Sequence, residues 1–287
     1  MLSQGNFSQS ARAAVKPIVS LEPSLGLLNL GLGEVWHYRE LLYFLVWRDL
    51  LVRYKQTAIG VGWAILQPLV SMAVFTVIFG TFAKIPSDGL PYPVFAYCAL
   101  LPWNYFASAL QRCVASVAGD AHLITKVYFP RLILPLAGTV SGIVDFSISL
   151  VLLLAMMAWY QVAVSWWMLT LPFFLLLAFV TALAVGLWLS SLNVRYRDVG
   201  HAIPFLIQVW MFVSPVVYPV SLIPEKYRLF YSLNPMAGVI EGFRWAILQK
   251  ASPDFAVMTV SAIVVLVVLM GGLVFFKRME STFADVV

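Results

Sequence analysis

Charged side chains are scarce in this sequence. They make up 11% of its 287 residues, whereas about a quarter of a soluble domain is charged. Hydrophobic residues make up 62%, and the mean hydropathy is +0.90. Length alone would suggest two soluble domains, but this composition excludes a soluble two-domain enzyme. It predicts an integral membrane protein instead.

Cysteine and histidine are also scarce. Cys98 and Cys113 lie in apolar surroundings without CxxC spacing, so they offer neither a disulfide framework nor a metal site. The three histidines, His37, His122 and His201, are far apart in the sequence. The phosphate-binding GxxxxGK[ST] loop, the HExxH motif and the GxSxG motif are all missing. We therefore expect no catalytic residue, no metal site and no cofactor in this chain.

The positive charge is small and dispersed. A formal net charge of +5 spread over the chain argues against a nucleic-acid partner. Residues 1–33 contain Arg12 and Lys16, but Pro17 and Pro23 interrupt any apolar core of a secretory signal. This segment is predicted to be an N-terminal cytoplasmic extension.

Long runs without Asp, Glu, Lys or Arg predict the membrane spans. About 20 apolar residues cross the hydrocarbon as a helix, and the stretch between Arg131 and Arg195 is long enough for two such helices joined near Trp159 and Trp166. The predicted fold is an all-α integral membrane protein with six transmembrane helices. These are expected at 60–82, 92–114, 132–158, 167–191, 202–219 and 255–276.

The distribution of Lys and Arg orients these spans. Most of the 18 Lys and Arg residues fall before the first span, between spans two and three, between spans four and five, and after span six. By the positive-inside rule, both termini are expected in the cytoplasm, including the tail 281–287.

Residues 34–57, before the first span, predict an amphipathic helix in the membrane interface. Polar residues such as Arg48 and Arg53 lie away from its apolar face. Two interpretations remain open: a collar that transmits motion to the first span, or a membrane anchor. The apolar face is expected to contain Trp36, Tyr43, Trp47, Leu50 and Tyr54.

Residues 220–250 are predicted to form a re-entrant hairpin on the outer side. Asn234 is a helix N-cap candidate followed by Pro235 at the first helical position. The helix that follows is too short to span, and Glu241 and Arg244 can neutralise each other on one face. Such a hairpin would border a pathway; the alternative is a helix lying on the membrane surface.

A short helix is predicted at 120–128, on the cytoplasmic side between spans two and three. Asp120 can cap it and Pro130 stops it. Its apolar and basic residues suit a docking surface for a soluble partner, although an interfacial loop helix is the simpler explanation. The residues concerned are Asp120, His122, Leu123, Ile124, Thr125 and Lys126.

Asp145 is the one acidic residue deep in a predicted span. An intramembrane carboxylate is a functional candidate because its burial is costly. The alternative is a carboxyl group that is protonated or bonded to the hydroxyls of Ser141 and Ser147.

Four blocks together resemble the ABC-2 type polysaccharide exporter permeases. The first is RDLLVRYKQT at 48–57, running into GVGWAILQP at 60–68. The others are VYFPR at 127–131, LNVRYRDV at 192–199 and NPMAGVIEGFR at 234–244. They occur in order at the expected topological positions, and the resemblance covers roughly residues 34–280.

The resemblance implies a homodimeric permease of the bacterial inner membrane that exports a lipid-linked polysaccharide such as O-antigen. Two copies of a separate ATPase subunit would bind the ATP and magnesium. By the same resemblance, 34–57 would be the interface helix, 120–128 the coupling helix, and the hairpin an outer gate. The gate residues would be Asn234, Pro235, Glu241, Phe243 and Arg244.

Aromatic side chains could line the path of a glycan, because sugar rings stack on aromatic planes with modest energies. Aromatic residues also concentrate at membrane interfaces in any membrane protein. The lining candidates are Trp63, Phe75, Trp103, Tyr105, Trp210, Phe212 and Tyr218.

Three alternatives to O-antigen export stay open at this point. They are a permease for teichoic acid or capsular polysaccharide, an intramembrane glycan-processing enzyme and a proton-coupled transporter.

Overall fold

A computed structural model of the chain describes residues 32–55, 60, 62–87, 89–248 and 255–286. Within these ranges the regular structure is entirely helical, which confirms the predicted all-α class. Most of the predicted extension 1–33 and the last two residues of the predicted interface helix, 56–57, lie outside the described residues.

The helices follow the predicted order, with several internal breaks. The first half contains α1 (Leu32–His37), α2 (Arg39–Lys55), α3 (Gly62–Phe75), a π-helical segment (Thr76–Phe82), α4 (Tyr92–Gly119), α5 (Ala121–Lys126), α6 (Ile133–Val140) and α7 (Gly142–Trp159). The second half contains a 3₁₀ turn (Trp166–Thr170), α8 (Leu171–Arg195), α9 (Asp198–Val213), a 3₁₀ turn (Val220–Leu222), α10 (Glu225–Tyr231), α11 (Pro235–Leu248) and α12 (Phe255–Val286).

Four helical segments among the described residues are long and apolar enough to cross a membrane. α4 has 28 residues and is also of crossing length, but polar residues such as Asn104 and Arg112 interrupt its apolar surface. α9 has 16 residues and is shorter than a typical span. The four segments are Gly62–Phe82, Ile133–Trp159, Trp166–Arg195 and Phe255–Phe283.

The predicted span 202–219 is wrong at its C-terminal end. α9 stops at Val213, and Ser214 has an extended backbone with φ −95° and ψ 154°. Pro215 follows, and a residue before proline is driven out of the helical region by contact with the proline ring. Residues 214–219 therefore form an irregular segment, which returns the chain towards α10.

α4 lies at the centre of the bundle. It packs against α6, α7, α8 and α11, and α8 in turn packs against α12. Cys98 and Cys113 are fully buried in this core, as expected of ordinary packing residues. A Cβ on Gly186 of α8 would lie 2.3 Å from the sulfur of Cys113, so the two central helices approach closely only because this position is glycine.

The predicted interface helix forms, and Tyr54 at its end bonds to Asp145 of the bundle, but the three other aromatic residues of its predicted apolar face do not pack on the protein. Trp36, Tyr43 and Trp47 are largely exposed, with Trp36 at 72%. A second apolar edge, with Leu45 buried at its centre, packs against α6 instead. One side of α2 is therefore attached to the bundle, and the aromatic side projects away from it.

Candidate transport site

A half-open cleft of about 360 Å³ lies between the end of α2, α3, α4 and α7. α4 lines it with four polar residues on one face of the helix, at positions i, i+4, i+7 and i+8. They are Asn104, Ser108, Gln111 and Arg112. Gln67 of α3 faces them from the other wall. The cleft therefore combines a polar wall with the apolar helices around it.

Asp145 of α7 is the centre of an ionic network in this cleft. Its carboxylate accepts hydrogen bonds from the guanidinium of Arg53 and the hydroxyl of Tyr54, both at the end of α2. Nη1 of Arg112 lies 3.7 Å from Oδ2 of the same carboxylate. Burial raises the pKa of Tyr54 to about 12, and the bond to Asp145 acts in the same direction. The phenol therefore stays protonated and donates.

The expectation that Asp145 bonds to Ser141 and Ser147 is wrong. Oγ of Ser141 donates to the carbonyl of Gly138, and Oγ of Ser147 donates to the carbonyl of Ile143. Both hydroxyls bond within their own helical turns, as serine commonly does in helices. The guanidinium of Arg53 and the hydroxyl of Tyr54, both on α2, bond to the carboxylate instead.

Arg112 is held in place by α4 and α6. Its Nε donates to the carbonyl of Gly138 at 2.9 Å, and Nη2 donates to Oγ of Ser108 at 3.1 Å. A Cβ on Gly142 would lie 2.2 Å from Nη2 of Arg112 and 3.2 Å from the ring of Tyr105. Glycine at 142 therefore makes the room that the guanidinium occupies.

The predicted short helix 120–128 forms as α5, over Ala121–Lys126. Asp120 makes no side-chain capping bond, so the capping prediction is wrong. Its two carboxylate oxygens accept hydrogen bonds from Arg48 of α2 at 2.7 and 2.8 Å. A bidentate guanidinium–carboxylate pair provides two charge-assisted hydrogen bonds, whereas a helix cap provides one, which explains why Asp120 binds Arg48. These bonds raise the pKa of Arg48.

One side of α5 is buried and the other is exposed. Ile124 is 7% exposed and packs into the cluster that contains Leu45 and Phe129. His122, Thr125 and Lys126 are exposed, as is Tyr128 just beyond the helix. The helix ends at Lys126, two residues before its predicted end at 128, and Val127 has an extended backbone. The free surface of α5 therefore consists of His122, Thr125 and Lys126, while Leu123 is only partly exposed.

Arg131 attaches the segment after α5 to the long helix α12. Its backbone N–H donates to Oε1 of Glu280 at 3.2 Å, and its guanidinium donates to the carbonyl of Glu280. Glu280 also forms an ion pair with Lys277 at 2.8 Å. The same end of the bundle thus holds contacts from α2, α5 and α12.

The predicted N-cap of α11 is confirmed. Oδ1 of Asn234 accepts the backbone N–H of Met236 at 3.1 Å, and Pro235 is the first helical residue. The same oxygen also accepts the indole N–H of Trp210 at 2.9 Å. α11 is buried against α4, α8 and α12, so it does not lie on the surface of the bundle. Residues 249 and 250 of the predicted hairpin lie outside the described residues.

Arg244 of α11 connects this helix to the irregular segment after α9. Nη1 donates to the carbonyl of Tyr218 at 3.0 Å, and Nη2 donates to the carbonyl of Val216 at 2.9 Å. The guanidinium also stacks on the ring of Phe95, 3.9 Å from its centroid. Phe243 beside it is fully buried, whereas Glu241 lies at a half-buried position of the same helix.

The predicted channel-lining aromatics do not form one surface. Trp63 and Tyr105 line the cleft described above. Trp103 is 2% exposed and packs against Phe106 in the core. The other candidates are divided among partly buried positions, namely Phe75, Trp210 and Tyr218, and the exposed surface, namely Phe212.

Sequence reasoning missed the two arginines that accompany Asp145. Arg112 was readable as part of the polar stripe on α4, since four polar residues on one face of an apolar helix are unusual. Arg53 was assigned to the interface helix, and its distance of 92 residues from Asp145 left no local signal of the contact.

Comparison with known proteins gives a consistent result. The ABC-2 type transporter family profile matches residues 40–248. The chain is 30% identical over 256 residues to the O-antigen export system permease protein RfbA of Myxococcus xanthus, covering 88% of this chain and 97% of the relative. It is 22% identical to the polysialic acid transport protein KpsM of Escherichia coli, covering 81% and 91%.

A third relative is the capsule polysaccharide export inner-membrane protein CtrC of Neisseria meningitidis serogroup B, with 25% identity over 72% of this chain and 78% of the relative. The family profile covers well over half of the chain, and the first of these relatives is matched almost from end to end. The chain is therefore a member of the ABC-2 type transporter family.

Proposed function

We propose that this chain is the transmembrane permease subunit of an ATP-driven exporter of lipid-linked polysaccharide, with O-antigen as the cargo. The relative with 30% identity is named as an O-antigen export permease, which favours this cargo. The chain acts as a transport subunit and not as an enzyme. Two copies of a separate ATPase subunit bind the ATP and magnesium, and the permease functions as a homodimer.

The observation that carries this proposal is the placement of α2 between α5 and the cleft. Arg48 of α2 binds Asp120 at the start of α5, and Arg53 and Tyr54 bind Asp145 in the cleft. Arg53 is five positions after Arg48 in the same helix, so the two contacts lie about 7.5 Å apart along its axis. A displacement of α5 by an ATPase would therefore reach the cleft.

In this proposal α5 is the coupling helix that contacts the ATPase on the cytoplasmic side. His122, Thr125 and Lys126 present its exposed surface, and Ile124 fixes it to the bundle. α2 is the interface helix, and its exposed aromatic residues suit the headgroup region of a membrane. Both termini are then cytoplasmic, and α3, α4, α6–α7, α8, α9 and α12 are the six crossing segments.

α10 and α11 form the outer gate in the proposed arrangement. The capped start of α11 at Asn234 and the clasp of Arg244 on the 216–218 segment hold this hairpin against α4. Apolar side chains on the outer face of α9, such as Phe205 and Phe212, are exposed and suit contact with a second copy or with lipid.

Capsular polysaccharide is the second candidate cargo, because KpsM and CtrC are named for polysialic acid and capsule export. A transport assay distinguishes the two candidate cargoes. Vesicles that contain this chain and its ATPase are supplied with either an O-antigen glycolipid or a capsule glycolipid, and the translocated fraction is measured. Transport of the O-antigen glycolipid alone supports the first reading, and transport of the capsule glycolipid alone supports the second.

An intramembrane glycan-processing enzyme and a proton-coupled transporter remain as contrasting functions. The energy source distinguishes the latter. Transport by the parent chain that stops when the ATPase is inactive supports the exporter, whereas transport driven by a pH gradient without ATP contradicts it.

A further inference from the structure

The cleft around Asp145 has the composition of a site for an anion. Its charged lining residues, within the described part of the chain, are Arg53, Arg112 and Asp145. Two guanidinium groups therefore face one carboxylate. The excess positive charge sits beside neutral donors, among them the amides of Gln67 and Asn104.

The donors of Arg112 are incompletely used by Asp145. Nε and Nη2 are bonded to Gly138 and Ser108, whereas Nη1 lies 3.7 Å from the carboxylate, which is beyond hydrogen-bond range. The two carboxylate oxygens accept from Arg53 and Tyr54 and not from Arg112. A tetrahedral phosphate has more acceptor oxygens and matches the planar donor fork of arginine.

The cleft also suits the amphiphilic part of such a ligand. Its volume of about 360 Å³ lies within the range of roughly 300–1,000 Å³ that is usual for small-molecule sites. Trp63, Pro68, Leu101 and Phe146 supply apolar lining next to the arginines. α3 forms one wall, and its far side is largely exposed, so an apolar chain attached to the headgroup can lie along it.

The cleft lies near the end of α4 that leads into α5. Arg112 is seven residues from the end of α4, which is about 10 Å along a helix axis. α5 follows directly after α4, so the cleft lies at the end of the bundle that carries the proposed coupling helix. In the proposed function this end of the bundle faces the cytoplasm, where lipid headgroups flank the hydrocarbon core.

We propose that this cleft binds the phosphate group of an amphiphilic phosphate ester. Arg53 and Arg112 are its ligands, and the carboxylate of Asp145 occupies the phosphate position until the ligand displaces it. The inference rests on the proposed function for the source of the ligand, which is either the lipid carrier of the cargo or a phospholipid of the surrounding membrane. Both sources share the phosphate ester chemistry.

The test is equilibrium binding to the purified full chain in a phosphate-free maltoside detergent. The probes are farnesyl diphosphate, short-chain phosphatidylglycerol and inorganic pyrophosphate. We expect saturable binding that weakens by about tenfold in Arg112→Gln and in Arg53→Gln, because each removes a charge-assisted bond. We expect Asp145→Asn to bind severalfold more tightly, because it removes the competing carboxylate.

The opposite changes in affinity expected for the arginine variants and for Asp145→Asn distinguish a binding site from a purely structural ion pair. If the network only fastens α2 to α7, then Arg53→Gln and Asp145→Asn break the same contact and change binding alike. That outcome overturns the proposal, as does the absence of saturable binding for every probe. Arg278→Gln is the matched control, since Arg278 is an exposed arginine on α12, and it should bind as the parent chain does.

Loss of folding cannot imitate the expected result. Arg112 is partly buried, so Arg112→Gln is also compared with Arg112→Lys, which keeps the charge and should retain more binding than the glutamine variant. Tighter binding in Asp145→Asn requires a folded site.

The probes identify the source of the ligand. Preference for farnesyl diphosphate supports the lipid carrier, preference for phosphatidylglycerol supports a membrane phospholipid, and equal binding of pyrophosphate shows that the headgroup suffices. The assay contains neither ATP nor ATPase. Binding without export would contradict the proposed function and leave the site intact, whereas export without binding would contradict the site alone.

Discussion

The guanidinium of Arg48 in α2 holds the carboxylate of Asp120 at the start of α5 through two hydrogen bonds of 2.7 and 2.8 Å. Asp49 shares the same guanidinium, with an N–O distance of 3.1 Å. This arrangement joins the short helix that faces the solvent to the helix that lies along the bundle. It is a direct polar link between the proposed coupling helix and α2, in addition to the packing of Ile124 into the bundle.

Breaking this link should uncouple ATP hydrolysis from export without unfolding the protein. Arg48 is 43% exposed in its side chain, and exposed ion pairs contribute less than about 1 kcal/mol to stability. We expect Arg48→Gln and Asp120→Asn each to lower export per ATP hydrolysed severalfold, measured in reconstituted vesicles.

A double variant identifies the pair as the cause. If the two residues act through one contact, Arg48→Gln with Asp120→Asn lowers coupling no further than either single change. Arg39→Gln, on the same helix and stacked on Trp36, serves as the control and should leave coupling unchanged. Additive losses would contradict the link.

Gly142→Ala should disturb the packing of the Arg112 guanidinium against α7 and lower the stability of the protein. The added Cβ would lie 2.2 Å from Nη2 of Arg112, and forcing an extra group into a well-packed position costs about 1–3 kcal/mol. Thermal unfolding in detergent measures the loss. Gly119→Ala is the matched control, because a Cβ there meets nothing within 4 Å, and its melting temperature should not fall.

Two substitutions in α5 should have separate effects. Thr125→Arg changes the exposed side, and we expect it to weaken association with the ATPase while leaving the melting temperature unchanged. Ile124→Ala changes the buried side, and we expect a loss of stability of about 2 kcal/mol from the lost packing. Co-purification of the ATPase and thermal unfolding measure the two effects. Normal ATPase binding by the Thr125→Arg variant would show that α5 is not the docking surface.

Arg244→Gln should loosen the proposed gate. The change removes charge-assisted bonds to the carbonyls of Val216 and Tyr218, and leaving buried carbonyls without donors costs about 1–3 kcal/mol each. We expect a lower melting temperature and faster hydrogen exchange at residues 214–219. Lys226→Gln in α10 is the control, because Lys226 only stacks on Tyr227 at the surface. Unchanged hydrogen exchange at these residues in Arg244→Gln would show that Arg244 does not hold this segment in place.

Features with local signals were predicted well from the sequence. The capped start of α11 at Asn234 and Pro235 needs only neighbouring residues, and the apolar runs gave most helices their approximate bounds. The early end of α9 was also readable, since Ser214 precedes a proline. The π-helical segment Thr76–Phe82 was not, because its residues carry no recognisable local signal for a π-helix.

Partners that are distant in the chain could not be predicted. The residues next to Asp120 in the sequence suggest that it caps a helix. In the folded chain Arg48, 72 residues away, lies beside it and binds its carboxylate instead. Asp145 likewise looks isolated until α2 and α4 place two arginines beside it. Such ion pairs reflect tertiary packing, and no local pattern in the sequence reveals which distant residues the fold brings together.

The most direct test of the account is ATP-dependent movement of a glycolipid. Vesicles that contain this chain with its ATPase subunit are loaded with a fluorescent lipid-linked O-antigen, and the labelled glycan that reaches the opposite face is measured over time. We predict movement that requires ATP, requires both subunits and falls severalfold in Arg48→Gln. Glycolipid that stays on its original face, with both subunits present and ATP being hydrolysed, would contradict the account.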